Sequence, residues 1–501
     1  MPRRDLGSAL CFVLASLGLA VARHPSATLH DDDPLERVAG EGRLIGARRQ
    51  WLRQHMGGLG LHRPPPDPDV IPPGLVLPWG YPLEVHSVTT EDGFILTVLR
   101  IPHGRNATLL RARSSSNGDP ARRPVVLLMH GLLDSAAGFL VNGPGQSLAF
   151  VLADAGYDVW LGNVRGNSLS RAHVSLDVAD EAFWLWSYDE MASYDMPATV
   201  RHVLATAGAP SLRYVGYSQG TTVMLAALAG RAGPPPPGGG SGRQGGGGAA
   251  AERPGLLRGE EVERAVLLAP VALAKHIASV PLLALAALDT DDMFSLLGLH
   301  EFLPSQQLVA ALEGRLCAAQ PYLCVRGSAP AGLMRQCTAF TLRPGYNPAN
   351  LDTDRLSQYF KFTPAGTSVQ NMAHWAQAVR SRAPNSMSYF DYGINCASAT
   401  GRCNQLAYGS IAPPRYNLTH IITPLALFSG TQDRLSTPTD VEYLLESLAP
   451  GVVRRSTVIP TYEHLDFIWG TDVNHALYDD VLRFLDGDGE GAGEERIAVA
   501  R

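Results

Sequence analysis

Hydrophobic and polar positions along the chain follow patterns that predict strands and helices in turn. An alternating stretch on either side of Glu91-Asp92-Gly93 predicts a β-hairpin. The run PVVLLMHG is continuously apolar up to its end, which is typical of a strand buried on both faces, and strands are also predicted at YDVWLGN and LRYVGYS. Helices are predicted at LAFVLADAG, residues 188–207 and TTVMLAALAG, and further strands at RAVLLAP, ITPLALFSG and RRSTVIP, before a helical tail from His464 to about Leu485. Repeated strand–helix units predict an α/β fold with a mostly parallel, doubly wound sheet.

Two segments interrupt this alternation. Residues 231–255 are rich in proline and glycine and cannot bury apolar surface, so we expect a disordered surface loop. Residues 271–420 break the strand rhythm with apolar helical segments, which predicts a cap inserted at the active edge of the sheet. The core is therefore predicted in two parts, residues 70–270 and 421–487, with a flexible tail at 488–501.

The first 22 residues have the pattern of a secretory signal peptide. Arginines precede an apolar run from Leu6 to Val21, and a small-x-small cleavage site ends at Ala22. The run has about 16 apolar residues, fewer than the roughly 20 that a membrane-spanning helix needs. No later stretch is long and apolar enough to span, so a mature chain without a transmembrane segment is expected in the secretory pathway, secreted or lysosomal. Residues 23–69 are interpreted as a flexible leader or pro-segment.

Composition narrows the class of protein. Hydrophobic residues make up 45% and charged residues 18% of the 501 residues, which excludes a chain disordered throughout. The net charge of −6 offers no cationic surface for a polyphosphate, so nucleic acid is not an expected partner.

Glycosylation motifs and cysteines fit an oxidising lumen. Asn106 and Asn417 each begin an N-x-T acceptor. Five cysteines lie outside the predicted signal, an odd number that predicts two disulfides and one free thiol. Cys396 and Cys403 are predicted to pair, and a metal site there is disfavoured because no histidine lies at ligand spacing. The pairing of the other three stays open: Cys317, Cys324 and Cys337.

Gly216-Tyr217-Ser218-Gln219-Gly220 is a G-x-S-x-G motif, and its setting indicates a nucleophile. Chance alone would place about 0.3 such matches in a chain of this composition, so the pattern by itself is weak. Here an apolar strand enters the motif and a helix leaves it, and a serine on such a turn is held exposed. The alternative is a glycine-rich turn with a surface serine.

A serine nucleophile needs a base and an orienting acid, which follow in the order acid, then histidine. Asp433 comes directly after the strand PLALFSG, and His464 follows the strand RRSTVIP. Both are therefore expected at the same edge of the sheet as Ser218. The rivals lie within or next to helices, or before a strand: Asp440, Asp466, His475 and His420.

Two backbone N–H groups are expected to bind an oxyanion. In such enzymes one follows the nucleophile and the other lies in the loop after an earlier strand. Here these are the N–H groups of Gln219 and of Leu132, which follows the PVVLLM strand and His130-Gly131. His130 is expected to be structural and hydrogen-bonded to loop backbone.

The chain resembles the acid lipase family, the gastric and lysosomal lipases of animals, within the α/β-hydrolase superfamily. The resemblance runs from Trp79 to Leu485 through the motifs WGYPLEVHSVTTEDGFIL, HGLLDSA, DVWLGNVRGNSLSR, FWLWSYDEMASYDMPATV, GYSQGTT, PAGTSVQNMAHWAQAV and YEHLDFIWG. It implies an α/β-hydrolase core with the same five site residues and no cofactor. It also implies a glycosylated enzyme acting on triacylglycerols or cholesteryl esters in acidic surroundings. Tyr217 departs from the histidine that the family usually has beside its nucleophile.

The favoured hypothesis is a lipase that acts on neutral lipid at a lipid–water interface. The alternatives are a carboxylesterase, thioesterase or phospholipase on the same scaffold, or a catalytically silent lipid-binding protein. The sequence leaves open the preferred ester, the pH optimum and the oligomeric state.

Overall fold

A computed structural model describes residues 72–105, 123–229, 257–279, 282–283, 286, 300–302, 345–359, 361–381, 383, 386–396, 402–487 and 497–499. Several of the features predicted from sequence lie outside these residues. They are the signal peptide, the 23–69 leader, Asn106, the 231–255 loop, most of the 488–501 tail, and Cys317, Cys324 and Cys337.

The described strands form one large sheet and one small ribbon. The ten-stranded sheet has the order β1-β2-β4-β3-β6-β7-β10-β11-β12, with β5 beside β2, and β8 pairs with β9 in the ribbon. The strands are β1 (Glu84–Thr89), β2 (Phe94–Ile101), β3 (Val125–Met129), β4 (Asp158–Gly162), β5 (Ala172–His173), β6 (Leu212–Tyr217), β7 (Val262–Leu268), β8 (Glu301–Phe302), β9 (Thr367–Ser368), β10 (Leu425–Gly430), β11 (Val453–Ile459) and β12 (Ile497–Val499). From β4 to β12 along this order every pairing is parallel, which confirms the predicted α/β sheet.

Strands β1 and β2 form the antiparallel hairpin that the sequence predicts. Its turn depends on Gly93, which has φ +98°, a conformation that side chains disfavour. A Cβ on Gly93 would also meet His173 Nε2 at 2.7 Å. The turn therefore requires glycine both for its backbone angle and for the close approach of β5.

The central strands are covered on both faces. All five residues of β3 are buried, and they alternate between two hydrophobic clusters. Leu127 and Met129 belong to one cluster, while Val126 and Leu128 belong to the other. Because both faces of a parallel sheet must be covered, strand β3 has no polar face, as its continuous apolar run indicated.

The helices cover the sheet and none of those described is long and apolar enough to cross a membrane. The α-helices are α1 (Pro72–Val76), α2 (Leu148–Asp154), α3 (Tyr188–Glu190), α4 (Met196–Ala207), α5 (Gln219–Ala229), α6 (Leu356–Tyr359), α7 (Val369–Arg380), α8 (Asn404–Tyr408), α9 (Pro438–Ser447), α10 (Asp466–Trp469) and α11 (Asp479–Asp486). Two π-helical segments, Met191–Asp195 and Asn474–Tyr478, lead into α4 and α11. Short 3₁₀ turns occupy Leu77–Trp79, Ala136–Phe139, Glu181–Trp184, Gly259–Glu261, Pro348–Asn350, Thr353–Arg355 and Leu418–His420.

The continuous helical tail predicted from His464 to Leu485 is wrong, because the helix is interrupted. Helix α10 ends at Trp469, and Gly470 after it leaves the helical conformation with φ −56° and ψ 136°. The next residues bond elsewhere: Thr471 N–H donates to the Asn350 carbonyl at 2.9 Å, and Asp472 N–H to Asn350 Oδ1 at 3.2 Å. Asn350 thus satisfies backbone groups that a continuous helix would have used.

The described parts of residues 271–420 contain the β8–β9 ribbon and helices α6, α7 and α8. A disulfide joins Cys396 to Cys403, the pair that the sequence predicts, with a Cα–Cα distance of 4.8 Å. The sheet is continuous across this segment, because β7 pairs directly with β10. The Ala269 N–H also donates to the Phe428 carbonyl at 2.8 Å.

A buried arginine connects the hairpin to the helical layer. The Arg165 guanidinium donates to Asp195 at 2.7 and 2.8 Å and to Asp92 at 2.6 and 2.9 Å. Arg165 and Asp195 are almost fully buried, and the arginine lies 4.1 Å from the Phe94 ring centroid. Because each charge has lost its hydration, each depends on the other.

We therefore expect Arg165→Leu to lower the free energy of unfolding by about 3–5 kcal/mol at pH 8. Burial already raises the pKa of Asp195 to about 6, so without Arg165 this carboxyl takes a proton at pH 5 and the loss becomes smaller there. Denaturant unfolding at both pH values measures this. Arg483→Leu removes an exposed ion pair to Asp480 and should cost under about 1 kcal/mol. Equal losses for the two variants would contradict the prediction.

Candidate active site

Ser218 lies on a tight turn between strand β6 and helix α5. Its φ of 51° is in the left-handed region that a serine rarely adopts. Glycines allow the turn to close: a Cβ on Gly220 would meet the Met129 carbonyl oxygen at 2.4 Å, and one on Gly216 would meet the Gly220 carbonyl carbon at 2.9 Å. Such strain at one serine, held by close packing of strand and helix, is typical of a nucleophile turn.

The structure brings Ser218, His464 and Asp433 together. The distance from Ser218 Oγ to His464 Nε2 is 2.8 Å, and that from His464 Nδ1 to Asp433 Oδ2 is 2.9 Å. All three residues are buried, at 8%, 3% and 3% exposure. Each follows the carboxyl end of a different strand, namely β6, β11 and β10.

Asp433 is fixed by its own loop. Its Oδ1 atom accepts hydrogen bonds from the Leu435 and Ser436 N–H groups, both at 2.8 Å, which leaves Oδ2 for the histidine. A carboxylate can only accept, so His464 carries its proton on Nδ1 and presents a bare Nε2 to the Ser218 hydroxyl. This is the tautomer that a general base requires.

The rival residues have other partners. Asp440 accepts hydrogen bonds from His276, from Nδ1 at 2.8 Å and from N–H at 2.9 Å. Asp466 accepts from the Glu463 N–H, just before helix α10, at 2.7 Å and from the Asn347 N–H at 3.0 Å. His420 and His475 are exposed. None of the four lies in the hydrogen-bonded chain that ends at Ser218.

The loop after strand β3 lies against the nucleophile. A Cβ on Gly131 would meet Ser218 Cβ at 2.9 Å, so only glycine allows this approach. Leu132 follows directly, and Leu133 has φ 60° in the same turn. Gln219 begins helix α5, where the first N–H groups have no partner within the helix. Leu132 and Gln219 therefore follow Gly131 and Ser218, the two residues that approach each other here.

His130 is held by loop backbone, as the sequence predicts. It bonds the Gly131 carbonyl through Nδ1 at 2.8 Å and accepts from the Val164 N–H through Nε2 at 3.3 Å. Burial lowers its pKa to about 4, which keeps the ring neutral. A second donor, Asn167 Nδ2, lies 3.0 Å from Nε2.

Tyr217 supports the histidine from the nucleophile turn. Its hydroxyl donates to the His464 carbonyl at 3.1 Å, and the two ring centroids are 5.2 Å apart. The sequence marked this residue only as a departure from the family pattern. Its contact with His464 depends on the meeting of two loops 247 positions apart, so no local signal could have shown it.

Two further carboxyl groups lie beside the histidine, and sequence reasoning missed both as titrating groups. Burial raises the pKa of Glu463 and of Asp466 to about 7, although Arg434 opposes the shift at Glu463. Glu463 Oε2 and Asp466 Oδ1 are buried with no hydrogen-bond partner among the described residues. Near pH 7 each of these carboxyl groups is partly protonated, and at lower pH both are neutral.

This arrangement predicts a pH-dependent stability. The pKa of Glu463 is raised above its ordinary value of 4.5, so its protonation stabilises the fold fully at acid pH, and this contribution is lost as pH rises through 7. Glu463→Gln should therefore gain stability relative to the wild type between pH 5 and pH 8, on the order of 1–2 kcal/mol after allowance for screening.

Unfolding free energies at several pH values measure this difference. Glu442→Gln changes an exposed carboxylate on helix α9 and should show no such trend. A Glu463→Gln difference that stays constant with pH would contradict the assignment.

Asn417, the described glycosylation candidate, has an exposed side chain. Its Oδ1 accepts from the Thr419 hydroxyl at 2.7 Å within the acceptor motif. Glycosylation there stays a prediction.

Comparison with known proteins identifies relatives across most of the chain. A family model described as a partial alpha/beta-hydrolase lipase region matches residues 74–143, and one described as the alpha/beta hydrolase fold matches residues 124–235. The chain is 36% identical to human "Lipase member K" over 409 residues, which are 81% of this chain and 88% of the relative. Human "Gastric triacylglycerol lipase" is 36% identical, covering 82% of this chain and 89% of its own.

Human "Lysosomal acid lipase/cholesteryl ester hydrolase" is 35% identical, covering 81% of this chain and 88% of its own length. Each of these matches extends over about four-fifths of this chain. Together with the α/β sheet and its nucleophile turn, this similarity shows that the chain belongs to the acid lipase family of the α/β-hydrolase superfamily, a family of serine carboxylic ester hydrolases.

Proposed function

We propose that this protein is a lipase that hydrolyses the carboxylic ester bonds of neutral lipids through an acyl-enzyme on Ser218. The observation that carries the proposal is the hydrogen-bonded chain from Ser218 Oγ through His464 to Asp433, on a strained turn of the sheet. Serine becomes nucleophilic only when a base removes its proton, and His464 Nε2 is within reach of it.

The reaction follows from this geometry. Ser218 Oγ attacks the ester carbonyl carbon as its proton moves to His464 Nε2, and the carbonyl electrons move onto the oxygen. The N–H groups of Leu132 and Gln219 bind this oxyanion. Collapse of the intermediate breaks the carbon–oxygen bond to the alcohol, which takes the proton from His464. Water then gives a proton to His464 and attacks the acyl carbon. The bond from this carbon to Ser218 Oγ breaks and Oγ takes the proton back from His464, which releases the fatty acid and restores Ser218.

The substrate class is proposed from the relatives. Their names specify triacylglycerol and cholesteryl ester, and both are neutral esters with long apolar chains. We infer that residues 271–420 form a cap over the site and meet the lipid surface. No cofactor is needed for the steps above.

An acidic lumenal or extracellular setting is proposed on two grounds. One relative is named a lysosomal acid lipase and another a gastric lipase. In addition, the raised pKa values of Glu463 and Asp466 mean that acid neutralises two buried carboxyl groups beside His464. Secretion or lysosomal delivery agrees with the predicted signal peptide and with glycosylation at Asn106 and Asn417.

The test is fatty-acid release by glycosylated protein from triolein, cholesteryl oleate and phosphatidylcholine emulsions, and from short soluble esters and thioesters, between pH 4 and 8. We expect release from at least one neutral-lipid emulsion, greatest on the acid side. Turnover of soluble esters, thioesters or phospholipid alone would replace the lipase by one of the alternatives on the same scaffold. No turnover of any substrate would favour a silent lipid-binding protein.

A further inference from the structure

The side chain of Gln219, the residue after the nucleophile, is held by helix α7. Its Oε1 atom accepts one hydrogen bond from Asn371 Nδ2 and one from Trp375 Nε1, both at 2.8 Å. All three residues are buried, at 2%, 0% and 6% exposure. Water therefore does not compete for these contacts, and the side chain depends on helix α7 for both of them.

The chemistry of the donors fixes the orientation of the amides. An indole N–H can only donate, so the Gln219 atom that faces Trp375 is the carbonyl oxygen. The Asn371 atom that faces this oxygen must then be its NH₂ group, which also donates to Thr367 Oγ1 at 3.1 Å. Gln219 Nε2 is left against Met191 Sδ at 3.5 Å. Turning either amide over would place two acceptors or two donors face to face.

Helix α7 is itself anchored where these contacts are made. Ser368 caps it by accepting from the Asn371 N–H at 2.9 Å and donates its own hydroxyl proton to the Trp186 carbonyl at 2.5 Å. The Trp375 ring lies 5.3 Å from the ring centroid of Tyr188. The first turns of the helix are thus fastened to the core, which makes Asn371 and Trp375 a fixed frame for Gln219.

We propose that Asn371 and Trp375 are positioning residues that aim the Gln219 N–H at the oxyanion. The inference rests on the proposed function, in which this N–H stabilises the transition state. Gln219 follows a residue at φ 51°, so its peptide group lies in a strained turn. The hydrogen bonds of its side chain to Asn371 and Trp375 fix Gln219 in addition to the backbone of the turn. The Gln219 N–H is therefore correctly oriented only when helix α7 of the 271–420 segment is packed against Gln219.

The test uses Trp375→Phe, which keeps an aromatic ring but removes the N–H, and Asn371→Leu, which is similar in size but cannot donate. With a short soluble ester, each variant should lower kcat about tenfold and leave KM unchanged. A misaligned Gln219 N–H makes a weaker hydrogen bond to the oxyanion, and this bond matters only in the transition state. Trp184→Phe is the matched control, since it removes an indole hydrogen bond of the same length, from a buried ring to the carbonyl of the half-buried Val178 at 2.8 Å. It should lower the melting temperature to a similar extent without lowering kcat.

A coupling measurement separates positioning from general packing. Gln219→Met keeps the backbone N–H but removes Oε1, so it should lower kcat as Trp375→Phe does. The double variant should be no slower than either single one. Wild-type kcat in both Trp375→Phe and Asn371→Leu, or losses that multiply in the double variant, would overturn the proposal. Absence of wild-type turnover with both the soluble ester and the neutral-lipid emulsions would instead refute the proposed function itself.

Discussion

Ser218→Ala is expected to lower the rate of ester hydrolysis by about 10³- to 10⁶-fold. The variant loses the oxygen that lies 2.8 Å from His464 Nε2, and with it the atom that would form the acyl-enzyme. Alanine and serine have the same backbone requirements, and the left-handed turn is held by the close packing of Gly216 and Gly220. The fold should therefore remain, and the melting temperature should be close to that of the wild type.

Two measurements check this result. Fatty-acid release quantifies the loss of turnover, and a fluorophosphonate probe followed by mass spectrometry reports covalent modification of the nucleophile. Ser170→Ala serves as control, because Ser170 is also buried but accepts a hydrogen bond from the Thr97 N–H. It should keep both turnover and labelling. If a well-folded Ser218→Ala protein hydrolysed esters as fast as the wild type, Ser218 would not be the nucleophile.

Asp433→Asn should lower kcat by about 10³- to 10⁴-fold while the geometry of the site is kept. The asparagine carbonyl can still accept from the Leu435 and Ser436 N–H groups, as Asp433 Oδ1 does at 2.8 Å. Its NH₂ group then faces His464 Nδ1 and requires an acceptor there. The imidazole proton moves to Nε2, where it points at the serine hydroxyl, so the base is in the wrong tautomer.

A second aspartate–histidine pair, in which the aspartate is buried and the histidine is exposed, offers a control. Asp440 Oδ1 lies 2.8 Å from His276 Nδ1, and Asp440 is 2% exposed, but the pair ends at no serine. Asp440→Asn should therefore lower stability without a comparable fall in kcat. Steady-state kinetics on a soluble ester, with thermal unfolding of each variant, distinguish the two. Equal losses of kcat in both variants would show that Asp433 matters only for folding.

The sequence predicted that Ser218, His464 and Asp433 come together because each carries a local signal. Ser218 lies between an apolar strand and a helix with glycines on both sides, and Asp433 and His464 each follow a strand. In a parallel sheet the carboxyl ends of the strands share one edge, so these signals suffice to place all three residues together. The hairpin and the buried strand were predictable for the same reason, since an alternating or a continuously apolar pattern is complete within a few residues.

Features that depend on distant contacts were not predictable. The break at Gly470 exists because Asn350, 120 positions earlier, takes the backbone groups of the next residues. The raised pKa of Glu463 comes from burial, which no local pattern of charges shows. The hydrogen bond from Trp375 to Gln219 joins residues that are 156 positions apart. Each requires the packed fold before it can be seen.

The direct pairing of β7 with β10 has a consequence for how this family can change. Because both ends of the 271–420 segment join adjacent strands, this segment closes a loop without interrupting the sheet. The entropy of closing a loop grows slowly, by about 0.6 kcal/mol for each doubling of its length. Insertions and deletions away from helix α7 therefore cost the core little. Selection can remodel this excursion for new lipids while the hydrolytic machinery, built on strands outside it, stays the same.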